Sequence, residues 1–220
     1  MERNGNEALK QSGLAKFIAE QQKNKNVRYR HKRFRSIFKV VSTATDYAFF
    51  SGLEAPAEKA LTNDYANPGI ITTGTGLLQS ISVDITGNLL KPVDYSTPIG
   101  GVPYGLYKEI QRIIDTIQCQ LIVSDKKVRD IALSQLIQIP FDLIPHSVVE
   151  VGTATNTYKT VGCSVVSKKY SNAEVVLNRP MKKLDQIQLI ARIPTGATGF
   201  DAALNDHYII LNADCYVEDL

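Results

Sequence analysis

Tyr208-Ile209-Ile210-Leu211-Asn212-Ala213-Asp214-Cys215-Tyr216-Val217 is the stretch whose reading decides the fold class. Ile209, Leu211, Ala213, Cys215 and Val217 recur at every second position, the period of a strand with one face in a core. The opposite set, Tyr208, Ile210 and Tyr216, is itself partly apolar and implies a second covered face. Ile187, Leu189, Ala191 and Ile193 repeat the pattern with Gln186, Gln188 and Arg192 between them. Further strands are expected at 147–151, 158–167 and 173–178, separated by Gly, Asn and Pro. Upstream, Ile81, Val83 and Ile85 alternate with Ser82 and Asp84, Leu121-Ile122-Val123 reads as a short buried strand, and 36–42 as the first strand. Many short strands in succession predict a mainly β chain, an antiparallel β-sandwich or barrel, jelly-roll-like topologies included.

Two helices interrupt this pattern as an insertion over about 104–137. Leu106, Ile110, Ile113, Ile114 and Ile117 fall on one face of a 3.6-residue period, and Pro103 stands just before them. Ser124 or Asp125 then caps an expected second helix with Val128, Ile131, Ala132 and Leu136 on one side, ended by Pro140. Residues 6–22 read as partly helical through Leu14, Phe17 and Ile18, weakened by Gly5 and Gly13.

Charge is distributed unevenly. The 220 residues carry a net +3. Residues 1–39 hold 11 Lys/Arg against 3 acids, a net of +8, and 40–220 hold 14 against 19, a net of −5. The basic excess concentrates in Lys23-Asn24-Lys25-Asn26-Val27-Arg28-Tyr29-Arg30-His31-Lys32-Arg33-Phe34-Arg35, seven permanent cations in 13 residues with no acid. A run like this has no internal neutralising partner. It divides the chain into a basic N-terminal arm, 1–35, and a β-rich body, 36–220, and truncation at residue 36 is expected to leave the body folded. Lys23, Lys25, Arg28, Arg30, Lys32, Arg33 and Arg35 are the candidate nucleic-acid contacts, because cation density releases phosphate counterions without demanding fixed geometry. Seven such contacts give a salt slope of about −5 on a single strand. Tyr29 and Phe34 are the candidate base stackers. A neighbouring protein or a lipid surface are the competing partners for the same charge.

Catalytic patterns are weak by comparison. Cys119, Cys163 and Cys215 are scattered through apolar runs, which favours buried reduced thiols over disulfides or zinc ligation. His31 lies in the basic run, and His146 and His207 stand at strand entrances without an accompanying nucleophile motif. Gly74-Thr75-Gly76 lacks the third glycine of a dinucleotide fingerprint and reads as a tight turn. Thr195–Phe200 reads as a loop. The expectation is a non-enzyme with no cofactor and no metal. No apolar run is long enough to span a bilayer, and the polar Met1–Glu7 lacks the apolar core of a secretory signal.

The basic run Lys23–Arg35, the first strand near residue 36 and the strand spacing of 147–217 together resemble an icosahedral virus or bacteriophage capsid protein. That resemblance implies a structural virion protein whose body self-assembles as a large homo-oligomer, through the Gly/Pro-rich loops of 51–105 and 195–206. It further implies an arm facing genome or an internal membrane (the latter through 6–22), other virion proteins as partners, and assembly in the host cytoplasm. The helical middle departs from a minimal jelly roll. A standalone nucleic-acid-binding protein with a β domain and a basic clamp is the alternative, and the acidic body speaks against it.

Overall fold

The computed structural model describes residues 2–23, 27–41, 43, 46–51, 74–86, 97–101, 104–137, 141–153, 156–167, 174–193, 201–205 and 207–218; over 141–167 it gives backbone path and register. The elements run α1 (Glu2–Gln22), β1 (Tyr29–Lys39), β2 (Asp46–Phe49), β3 (Gly76–Thr86), α2 (Gly105–Thr116), β4 (Gln118–Val123), β5 (Lys126–Ala132), β6 (Phe141–Thr153), β7 (Asn156–Ser167), β8 (Glu174–Met181), β9 (Ile187–Arg192) and β10 (Tyr208–Glu218). Among the described residues the chain is mainly β, as its alternating patterns predict, with two α-helices, of which only the one at Gly105–Thr116 is a helix of the expected insertion.

Two antiparallel four-stranded sheets form, in the orders β1-β10-β3-β8 and β2-β9-β4-β5, beside a separate β6–β7 hairpin. The stretch that decides the fold becomes β10, a central strand paired with β1 on one side and β3 on the other. Its alternating set Ile209, Leu211, Ala213, Cys215 and Val217 is buried. With Leu78, Ile81 and Val83 of β3 it shares one core with Cys119, Leu121 and Val123 of β4 and Ile187, Leu189 and Ala191 of β9. Each large aliphatic buried there contributes about 1.5–3 kcal/mol. Cys119 and Cys215 are free and buried, as expected of thiols in strands, while the Cys163 side chain lies outside the described residues.

The helix at 106–117 forms as α2, burying Leu106, Tyr107, Ile110, Ile113 and Ile114. Arg112 forks onto Glu109 one turn back, and Glu109 also accepts the Asp201 backbone N–H at 2.9 Å. The Arg112 fork holds the Glu109 carboxyl below the usual carboxylate range. The second helix of the insertion does not form. In its place stands β5, paired with β4. Ser124 and Asp125 both have positive φ (49° and 62°) and join Val123 to Lys126 as a two-residue hairpin turn rather than a helix cap. The ladder also slips opposite Leu121/Ile122, leaving Val128 as an extra residue in β5. That bulge spaces Val128 and Ile131 by three, and so mimics a helical period in the sequence.

The arm boundary at residue 35 also moves. β1 starts at Tyr29, and Tyr29–Arg35 pair residue by residue with Glu218–Asn212 of β10. The basic run from Tyr29 onward is therefore an edge strand of the first sheet, and charge is a common property of edges. Phe34 belongs to the core at 2% exposure, so truncation at residue 36 removes core as well as arm. α1 is longer than the 6–22 expected and docks on the outer face of the same sheet. Phe17 is buried, Lys10 Nζ meets Glu174 Oε2 at 2.5 Å, and Asn178 Nδ2 donates to Leu9 O at 2.8 Å. The second covered face implied by Tyr208, Ile210 and Tyr216 is thus partly supplied by α1. Of the loops expected to make assembly contacts, 52–73, 87–96 and 194–200 lie outside the described residues.

Candidate nucleic-acid interface

Strand parity sorts the cations of β1 onto two faces. Tyr29, His31, Arg33 and Arg35 share the outer face with Asp214 and Asn212 of β10. Arg33 Nε donates to Asp214 Oδ1 at 2.8 Å and Nη2 to Oδ2 at 2.9 Å, a bidentate pair. This hydrogen bonding raises the Arg33 pKa above the ordinary guanidinium value, against the opposing effect of burial. His31 Nε2 lies 3.4 Å from the same carboxylate, with its ring edge-on to Tyr216 at 5.3 Å. Further along this face Asn212 Nδ2 donates to Asp84 Oδ2 at 2.7 Å, and Ser80 Oγ donates to the Glu174 carboxylate that holds Lys10. The outer face is therefore charge-compensated, and Arg33 is bound into it.

Arg30 and Lys32 take the opposite parity. Lys32 is half-buried with Nζ 4.5 Å from the Phe34 ring centroid, a cation–π contact. Lys23 after α1, Arg28 before β1, Arg30 and Arg35 are exposed, and the Arg33 side chain is 57% exposed despite its fork. Lys25 lies outside the described residues. With Arg33 held by Asp214, the four exposed cations Lys23, Arg28, Arg30 and Arg35 give a salt slope of about −2.8 on a single strand, against about −5 for all seven. From Arg28 to Arg35 the backbone rises about 24 Å, a linear track along one sheet edge.

Both aromatic residues proposed as base stackers are engaged in packing. Phe34 is inside the core, and Tyr29 packs edge-on against Phe17 of α1 at 5.0 Å while its hydroxyl meets Thr75 Oγ1 at 2.6 Å. An apolar set of one parity, Phe34 and Phe38, begins inside the basic run, and that alternation is the sequence signal that marks Phe34 as core. Asp214 and Glu174, which hold Arg33 and Lys10, carry no such local signal. Their importance depends on register with β1 and on docking of α1.

The remaining motifs resolve as structure. Thr75 donates through its backbone N–H to Glu218 Oε2 at 2.8 Å, so Gly74-Thr75-Gly76 is the entrance to β3 locked to the end of β10. His207 precedes β10, where its carbonyl accepts the Val40 N–H at 2.7 Å; its ring Nδ1 is buried with no partner among the described residues. His146 sits at a slip in the β6–β7 ladder. No group of three or more His, Cys, Asp or Glu residues able to hold a metal occurs among the described residues. No described helix is long and apolar enough to cross a membrane. Comparison with protein-family models, with curated proteins and with solved structures finds no match.

Proposed function

We propose that this chain is a structural particle protein of the virion type, a jelly-roll β-sandwich that self-assembles and contacts nucleic acid through the cationic edge formed by Lys23, Arg28, Arg30 and Arg35. One observation carries the reading: the order in which the strands pair. β1 pairs with β10, β2 with β9, β3 with β8 and β4 with β5, every pair antiparallel. With the β6–β7 hairpin set aside, these are strands 1 with 8, 2 with 7, 3 with 6 and 4 with 5 of an eight-strand set. That is the pattern of one long antiparallel ribbon wound around a core. The cross-pairs β10–β3 and β9–β4 close the two sheets, as in an eight-stranded jelly roll.

A fold of this kind hosts several functions, and the charge arrangement narrows the choice among them. A cationic edge strand on a body of net negative charge attracts polyanion along one line and repels it elsewhere. This supports a subunit that holds polyanion on one side of a wall. Electron microscopy and light scattering on the purified full chain test it. A discrete closed particle or ring is expected, whereas a monomer or dimer at every concentration would overturn the assembly reading.

A further inference from the structure

The β6–β7 hairpin has a face with a distinctive composition. Its strands pair from Phe141↔Ser167 to Thr153↔Asn156, and neither joins a third strand among the described residues. A two-stranded ribbon is at best marginal alone in water, so it needs a surface to lie on. The ladder slips between Pro145 and Ser147, with His146 as the extra residue. A shift of one exchanges the faces of everything beyond it. Because of that slip, Phe141, Leu143, Pro145 and Val148 share one face with Val161, Cys163 and Val165. This apolar stripe ends toward the turn in one cross-strand pair, Glu150↔Lys159. The opposite face is mixed: Asp142, Ser147, Thr160 and Ser164 interleave there with Ile144, Val149, Val151, Tyr158 and Val166, so no unbroken apolar stripe forms on it.

We propose that the stripe is a self-complementary contact, packing on the same stripe of a second copy about a twofold axis that runs along the ribbon. The inference rests on the self-assembly reading above and names a surface for it. Such an axis lays β6 of one copy over β7 of the other, in an isologous contact. Val148 then stands over the second copy's Val161, and Leu143 over its Val165. Glu150 stands over the second copy's Lys159 and Lys159 over its Glu150, so opposite charges meet twice. A twofold axis across the ribbon matches neither charge.

The body's sheet edges favour a face contact over edge pairing. β1 is cationic, β5 carries Lys126, Lys127, Arg129 and Asp130, β8 carries Pro180, and β2 is four residues long. Each is a device that discourages strand addition. A ribbon 13 residues long spans about 43 Å by about 10 Å, or about 400 Å² per face. A pair of such faces falls below the roughly 1,600 Å² of a standard interface. The contact is weak singly and effective when repeated through an assembly.

Glu150→Lys and Lys159→Glu full-length chains test the pairing by sedimentation velocity, under conditions where the wild type assembles. Each variant alone places like charges over one another and should weaken association roughly tenfold. An equimolar mixture should recover it, because a chain with lysine at both positions of the pair then faces a chain with glutamate at both. Pairing within each hairpin stays broken in the mixture, so recovery reports the contact between copies. Val161→Asp should weaken association at an unchanged melting temperature, and Ser164→Asp on the opposite face should not. Wild-type assembly with no effect of the charge variants, or with no recovery on mixing, overturns the hairpin contact and leaves self-assembly standing. A wild type that never assembles overturns both.

Discussion

Arg33 and Asp214 face each other across the β1–β10 ladder, and the guanidinium closes both oxygens of a carboxylate whose side chain is 9% exposed. This pair converts part of a basic run into sheet structure. It separates cations that hold the fold together from cations that can meet a polyanion, a division invisible in net charge.

Arg33→Ala and Arg28→Ala should therefore fail in different ways. Removing Arg33 takes both of its hydrogen bonds from a buried carboxylate, and the expected loss is about 1–3 kcal/mol of stability. Removing Arg28, which is exposed, should leave stability within about 0.5 kcal/mol and lower the salt slope of single-strand binding by about 0.7. Urea titration and binding measured across a salt series check both. Equal effects of the two variants on binding alone would refute the division.

Phe34→Ala should behave as a core deletion. The ring is 2% exposed and carries Lys32 over its face, so the expected cost is about 3–5 kcal/mol. A stacking role would instead leave the urea midpoint in place and weaken single-strand binding. The midpoint decides.

Much of the fold was legible because burial repeats at short range. The alternation in 187–193 and 208–217 and the helical stripe from Leu106 to Ile117 each report a neighbouring core within a dozen residues. The failures share a different cause. Ser124 and Asp125 serve equally well as a helix cap or a left-handed turn, and the bulge at Val128 turned a strand into a false helical period. Charge density in Lys23–Arg35 masked the strand because pairing with β10, more than 170 residues away, has no local trace. The candidate site was legible as a set of cations. Which of them are engaged was not, since Asp214 answers Arg33 only through register.

Gly13 should be required for docking of α1. A Cβ there would collide with the Asn178 side-chain amide, which is tied to the Leu9 carbonyl. Alanine raises intrinsic helix propensity by up to about 1 kcal/mol over glycine, so an undocked α1 would be stabilised by Gly13→Ala. A docked α1 should instead lose protection, by an overpacking cost of about 1–3 kcal/mol. Hydrogen exchange over 2–22 reads the sign. Slower exchange in the variant would mean that α1 does not dock through this face.

Cys119 sets a limit on alkaline stability. Burial alone pushes its thiol up to about 12 from an ordinary value of 9.0. In the unfolded chain the thiol ionises above about pH 9, while in the folded protein it stays neutral until about pH 12. The unfolded state therefore binds fewer protons across that window, and stability falls as pH rises through it. The slope from this group is about 1.4 kcal/mol per pH unit, absent below about pH 8. Cys119→Ala removes the group at a modest packing cost, so its stability should be lower at neutral pH yet fall less steeply from about pH 9 to about pH 10.5. Urea midpoints for both proteins at half-unit intervals measure the difference in slope, and parallel curves would show that the buried thiol plays no part.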